Sequence, residues 1–251
     1  MTDTGAAVRG HTFVLVHGAW HGGWCWRRVA DRLRAAGHRV FTPTLTGLGE
    51  RRHLMSSTIT LDTFTEDVLN VIAMEDLADV VLVGHSFGGS PISGVADRVP
   101  ERIRHLIYLD SLITQPGRTA FDSLPPDGVA ARRKLAQESS GGLSLPPPAP
   151  DVFGIRDAAD IAWVGRHLTP HPLGAYTSPL TIAGPIGNGL PCIYIGCIDP
   201  VYAALDGSRQ WARQQKGFRY IDMAASHDAM VTHPEDLTRL LCALAGETGA
   251  R

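Results

Sequence analysis

Aliphatic runs of four to eight residues recur along the chain, at Thr12–Val16, residues 80–83, Ile103–Leu109, residues 191–198 and Phe218–Met223, with a more mixed run at residues 38–44. Most are rich in β-branched residues and lack strict apolar–polar alternation, which fits strands covered on both faces of a parallel sheet. Between them, apolar residues return every three or four positions. Residues 24–36 form one such segment, ending at Gly37; another runs through Val68 and Ile72 to Met74, with Thr60 or Asp62 as its cap. Residues 91–99 and 201–215 follow, and residues 234–245 make an amphipathic closing helix. Strands alternating with helices predict an α/β fold with a mainly parallel, doubly wound sheet and helices on both faces.

The alternation breaks at Ile113. Residues 115–150 are rich in Pro, Gly and Ser, including Ser139-Ser140-Gly141-Gly142 and Pro146-Pro147-Pro148, and read as irregular. A compact domain seldom keeps so long a structureless stretch without a use for it. Residues 157–167 are helical in pattern and residues 172–182 are mixed. The expected organisation is a core of residues 11–112 and 191–246, with residues 113–190 inserted as a lid (cap) over the carboxyl ends of the strands, where open α/β sheets bind ligands. Residues 1–10 and 247–251 are expected to be flexible termini.

At 251 residues the chain suffices for one such domain with its insertion. A formal charge of −2 offers no general attraction to nucleic acid or acidic membranes, and no run of eighteen apolar residues occurs. The first ten residues contain no apolar signal-type run, so a cytoplasmic location is expected. Only Lys134 and Lys216 are lysines, which argues against Schiff-base chemistry, and Cys25, Cys192, Cys197 and Cys242 form no Cys-x-x-Cys pair and read as free thiols. Eleven histidines include no metal-binding spacing; His167 and His171 are separated by Pro170. No metal or other cofactor is expected, and the partner is a small molecule, with a homodimer left open.

Gly84-His85-Ser86-Phe87-Gly88 directly follows the strand at residues 80–83 and precedes the helix at 91–99. Gly-x-Ser-x-Gly in that context is a nucleophile elbow, a tight turn that lifts the Ser86 hydroxyl clear of the sheet. A serine needs a base to take its proton, and the base is held in one tautomer by a carboxylate. In this architecture the chain order is Ser, acid, His. His227, in the loop after the last strand, is the expected base, with His233 as competitor. Asp199, after the preceding strand, is the expected acid; Asp110, at the end of the strand that follows the elbow, is the alternative if its loop turns inward. The N–H groups of Phe87 and of Ala19, in the loop after the first strand, are the expected oxyanion donors.

Phe13-Val14-Leu15-Val16-His17-Gly18-Ala19-Trp20-His21-Gly22-Gly23-Trp24-Cys25-Trp26 closely resembles the opening of the methylesterase and hydroxynitrile-lyase branch of the α/β-hydrolase superfamily, shared with bacterial carboxylesterases. Residues 84–89 match that branch's elbow, and Ser226-His227-Asp228-Ala229-Met230 resembles its catalytic-histidine segment. The resemblance implies Ser86, His227 and an acid near Asp199 as catalytic residues, with Ala19 and Phe87 as oxyanion donors and no cofactor. If Cys197 is aligned, the family's acid falls a residue or so after Asp199, which keeps Asp110 in play. Hydroxynitrile lyases of the branch carry Thr after the first-loop His and Lys after the catalytic His; here these are Gly18 and Asp228, which favours ester hydrolysis over cyanohydrin cleavage. The expected activity is that of a serine carboxylesterase on a small apolar or aromatic ester, or a lactone, with Trp20 and Trp163 as substrate-binding residues. The alternatives are a lyase or cofactor-free oxygenase using His227 as base, and a ligand receptor on the same fold.

Overall fold

The alternating elements are, in chain order, β1 (Thr12–Val16), α1 (Arg27–Ala35), β2 (Arg39–Phe41), α2 (Leu61–Met74), β3 (Val80–His85), α3 (Gly89–Arg98), β4 (Ile103–Leu109), α4 (Pro126–Ser140), β5 (Ser144–Leu145), α5 (Ala158–His167), β6 (His171–Pro172), α6 (Leu173–Thr177), β7 (Cys192–Cys197), α7 (Asp206–Gln214), β8 (Phe218–Met223), α8 (Ala229–Thr232) and α9 (Pro234–Gly246). The computed structural model describes residues 10–247, so most of the termini expected to be flexible lie outside the described residues. Glu247 is tied down: its carboxylate accepts from Arg219 and its carbonyl from Arg104. No helix among the described residues is long and apolar enough to cross a membrane.

Six strands pair in parallel in the order β2-β1-β3-β4-β7-β8. Side chains alternate between the sheet's two faces, and both faces are apolar. Val14, Val16, Leu82, Tyr108 and Tyr194 point to a layer containing Phe64 and Val68 of α2 and Ile92 and Val95 of α3. Phe13, Leu15, Val81, Val83, Ile107 and Ile195 point to the opposite layer, with Val29 and Leu33 of α1 and Leu237, Leu241 and Leu244 of α9. Nearly all are fully buried, and each contributes about 1.5–3 kcal/mol relative to an exposed side chain. The register aligns Val16 with Gly84, His85 with Leu109, and Leu109 with Ile195, so β1, β3, β4 and β7 end together. Residues just past those ends are therefore brought side by side.

The segment between β4 and β7 is more ordered than its composition predicts. Residues 115–150 contain the fifteen-residue α4, which enters with Pro126 at its first turn and stops at Gly141 in the left-handed conformation (φ 63°). Ala136 is its only fully buried residue, so it carries no apolar stripe for periodicity to reveal. The segment is stitched to the loop after β1. Trp20 Nε1–H donates to the Leu145 carbonyl (3.1 Å), Thr169 N–H donates to the Trp20 carbonyl (2.9 Å), and β5 pairs with β6 beside them. Two other elements are shorter than expected: residues 38–44 keep only the three residues of β2, and within 201–215 the α-helix starts at Asp206 after a 3₁₀ turn at Ala203–Leu205.

Candidate active site

Ser86 stands at the end of β3 with φ 52°, a left-handed conformation costly for a residue with a Cβ and held in place by the sheet on one side and α3 on the other. The flanking glycines are sterically required. A Cβ at Gly84 would sit 2.6 Å from the Gly88 carbonyl oxygen, and one at Gly88 would sit 2.7 Å from that of His17. The loop after β1 also crowds the serine, since a Cβ on Gly18 would lie 2.7 Å from Ser86 Cβ. That approach brings Ala19 to the same strand ends as Ser86 and Phe87, and both Ala19 and Phe87 are buried.

His227 lies in the loop between β8 and α8. The Ser86 hydroxyl donates to its Nε2 (3.0 Å), and its Nδ1–H donates to Asp110 Oδ2 (2.7 Å). The tautomer follows from the partners, because an ionised carboxylate can only accept. Asp110 caps β4 with φ 40°, a second left-handed non-glycine residue in the cluster. Its carboxylate is fully buried, and its desolvation is offset by a dense set of donors: Arg209 Nε (3.0 Å) and Nη2 (2.8 Å) and the Cys197 N–H (3.2 Å) on Oδ1, with Arg209 Nη2 again on Oδ2 (3.0 Å).

The acid expected at Asp199 is corrected by this geometry. Asp199 N–H donates to the Ala225 carbonyl, while its side chain is 68% exposed and faces Arg156 across 3.6 Å of solvent-accessible surface. The carboxylate that reaches the imidazole belongs to Asp110, the alternative, because the left-handed turn after β4 directs it inward. His233 hydrogen-bonds to its neighbour Thr232 and takes no part in the Ser86 network. Arg209 has no signature in the sequence; only the fold shows that it shares the buried face of α7 with Ser208 and Ala212, where an arginine implies a buried anion.

A second histidine–carboxylate couple lies beside the first. Asp228, fully buried, accepts from His21 Nε2–H (3.0 Å), and His21 Nδ1–H donates to the Ala19 carbonyl (2.8 Å). Burial by itself lowers the pKa of His21, but the charge and hydrogen bond of Asp228, aided by the carbonyl, outweigh it, and the net shift is upward. For Asp228 burial acts upward and is outweighed by His21, so its pKa falls. Two neighbouring histidines are held neutral. His17 is lowered to about 3 by burial, with Nδ1–H on the Gly18 carbonyl and Nε2 accepting the Leu45 N–H; His85 is pushed well down by burial and by His227, and its Nε2–H supports the His227 carbonyl (2.9 Å). His85, His227 and Asp228 also present ligand-type atoms within 4.8 Å of one another. A cation there would have to break the His227 bonds to Ser86 and Asp110 or the His85 bond to the His227 carbonyl, so the donors do not fit a resident metal.

Ser86 opens into a narrow cleft of about 50 Å³, lined by Trp20, Phe87, Tyr176, Tyr202 and Arg132 among others. Wider grooves of about 500 and 440 Å³ on other faces contain none of Ser86, His227 and Asp110. Trp20 lines the cleft as the sequence reading expected, but Trp163 does not. It packs edge-on against Trp24 (5.2 Å between ring centres) under the Arg28 guanidinium, within the apolar layer of α1 and α9. No local pattern marks Tyr176, Tyr202 or Arg132 in the sequence; chain folding between β4 and β8 brings them to Ser86. Tyr202 stacks on the His227 ring at 4.3 Å.

Known proteins resemble the chain over nearly its whole length. It is 41% identical over 248 residues to a carbendazim hydrolyzing esterase of a Nocardioides species, covering 92% of this chain and 98% of the relative. It is 29% identical over 245 residues to a pyrethroid hydrolase of Sphingobium wenxiniae, covering 92% and 86%. Among solved structures, an extracellular alpha/beta-hydrolase from a Paenibacillus species superposes with a TM-score of 0.78 at 25% identity, covering 96% of this chain and all of the other. The model of the Alpha/beta hydrolase family matches residues 13–240, and with the parallel sheet, the elbow and these relatives it shows that the chain belongs to the alpha/beta hydrolase family.

Proposed function

We propose that the chain, a carboxylic-ester hydrolase, works as a serine esterase through Ser86, His227 and Asp110. The observation that carries this reading is the continuous line of hydrogen bonds from the Ser86 hydroxyl to His227 Nε2 and from Nδ1 to the buried Asp110. His227 takes the Ser86 proton as Oγ attacks the ester carbonyl, and Asp110 stabilises the imidazolium that forms. The N–H groups of Ala19 and Phe87 hold the oxyanion; a donor of this kind is worth about 2.7–4 kcal/mol in the transition state. The imidazolium then gives its proton to the departing alkoxide oxygen, which leaves as the alcohol, and a water deprotonated by His227 attacks the acyl-enzyme, releases the acid and returns the proton to Ser86.

The apolar cleft walls support a small apolar or aromatic ester, or a lactone, and the segment between β4 and β7 serves as its lid, since Tyr176 and Arg132 come from it. The hydrolytic reading is favoured over lyase chemistry because the residue directly after His227 is Asp228, buried against His21, so that position supplies no cation beside the imidazole. Turnover of p-nitrophenyl butyrate by wild type and Ser86→Ala, with intact mass after a fluorophosphonate probe, tests it. Activity lost in the variant, and one adduct on wild type only, is the expected result; no turnover and no adduct from folded protein overturns it.

A further inference from the structure

The cleft over Ser86 has mainly apolar walls; Ser86, Ser123 and the Trp20 indole are hydrogen-bonded within the protein, while Arg132, Tyr176 and Tyr202 are left with little or no partner among the described residues. Arg132, half-buried on α4, has no carboxylate within 4 Å among the described residues, and its guanidinium makes one long contact, to the Gly128 carbonyl at 3.4 Å. The other arginine that shares the site, Arg209, is fully committed to Asp110 and Asp206. Tyr176 and Tyr202 line the same cleft, and neither hydroxyl hydrogen-bonds to another described residue. Burial raises the pKa of both phenols, and the charge of Arg132 opposes it in each, which sets the guanidinium within electrostatic reach of both. Tyr202 in turn lies flat on the catalytic imidazole, so the polar cluster and the reacting centre share one wall. A cation and two phenol donors, unpaired in a narrow apolar cleft, form a recognition site for an anion: each gains far more from a carboxylate there than a surface residue would.

We propose that Arg132, with the hydroxyls of Tyr176 and Tyr202, forms an anion subsite that binds a carboxylate carried by the ester substrate, so that the preferred substrates are half-esters of short dicarboxylic acids or esters of similar charge. The inference deepens the serine-esterase reading, since Ser86 would act on the ester end of the molecule the subsite holds. It revises the substrate half of that reading: the apolar walls take the carbon chain, as they would for an apolar ester, but the preferred substrate carries a charged terminus that the subsite selects.

Binding tests the subsite without requiring turnover. Ligand-observed NMR titrations would compare monomethyl glutarate with its neutral near-isostere methyl hexanoate, using Ser86→Ala, then Ser86→Ala/Arg132→Met and Ser86→Ala/Arg132→Lys, at low and high salt. Expected is at least tenfold tighter binding of the half-ester to Ser86→Ala, weakened by salt, falling to near parity with Arg132→Met and partly kept with Arg132→Lys. Equal or tighter binding of methyl hexanoate to Ser86→Ala overturns the proposal, as does a preference for the half-ester that survives Arg132→Met. If both Arg132 variants lose all binding, Tyr202→Phe in the Ser86→Ala background decides: a selective loss for the half-ester supports the subsite, and equal losses for both ligands overturn it. Absence of fluorophosphonate labelling in wild type would remove the esterase reading while leaving the binding result to stand or fall on its own.

Discussion

Two histidine–carboxylate couples meet at the loop between β8 and α8, which carries His227 of one and Asp228 of the other, and the two rings face different partners. In one, His227 bonds Asp110 at 2.7 Å; in the other, His21 bonds Asp228 at 3.0 Å, and both carboxylates are fully buried. The difference lies at the far side of each ring. His227 offers its second nitrogen to a hydroxyl, so a neutral imidazole satisfies both partners and the ring is free to accept a proton. His21 faces an acceptor on each side, the Asp228 carboxylate and the Ala19 carbonyl, so only the imidazolium satisfies both. The carboxylates differ too. Asp110 is clamped by a guanidinium, whereas Asp228 Oδ1 has no hydrogen-bond partner among the described residues, and His85 Nε2 stands 3.9 Å away. A histidine–aspartate contact thus defines no role by itself; the atom facing the other ring nitrogen separates the base proposed for His227 from a structural cation at His21.

That contrast can be broken from either side. The largest effect is expected at Asp110. Asp110→Asn removes the acceptor that fixes the His227 tautomer and should lower kcat by about 10³–10⁴-fold, with KM little changed. Asp199→Asn, measured in parallel, should stay within about twofold of wild type, as for a solvated surface residue; the reverse pattern would return the acid to Asp199.

Next comes Arg209, which acts through Asp110. Arg209→Met leaves a buried carboxylate without its counter-charge and should destabilise the protein by about 3–5 kcal/mol in urea unfolding. Combined with Asp110→Asn, the two losses should be far from additive, because the neutral amide no longer needs the guanidinium. Additive losses would mean that the pair is not coupled.

The smallest effect, and the one that separates the couples most sharply, is the pH dependence of Asp228→Asn. His21, raised above its ordinary 6.5, contributes stability that is complete below that value and is lost as pH rises through its folded pKa. Asp228, lowered below 3.8, contributes stability present above that value and lost as pH falls through its folded pKa. The couple therefore works fully between about pH 4 and 6.5. The Tm gap between wild type and Asp228→Asn should be widest near pH 5 and shrink on the alkaline side; a gap independent of pH would mean that His21 is not held as the cation.

The sheet was legible in the chain because burial on two faces demands unbroken aliphatic runs, and Thr12–Val16, Ile103–Leu109 and Phe218–Met223 begin and end where those runs do. The turn at Ser86 was legible for a related reason, since a left-handed serine with backbone pressed against both neighbours leaves only glycine at positions 84 and 88. Helix α4 was hidden because it buries almost nothing, and Trp163 was misplaced because an aromatic residue on a helix reads the same whether it faces a cleft or a core. The amino-acid sequence by itself determined the α/β alternation, the elbow and a histidine at the matching sheet edge, each set by contacts between near neighbours in the chain. Which aspartate meets that histidine, which arginine holds the aspartate, and which cation is left facing the cleft were decided only by tertiary structure: the first two pairings join residues 117 and 99 positions apart, through the direction in which the backbone turns at the end of β4, and the third depends on where α4 is carried over the cleft.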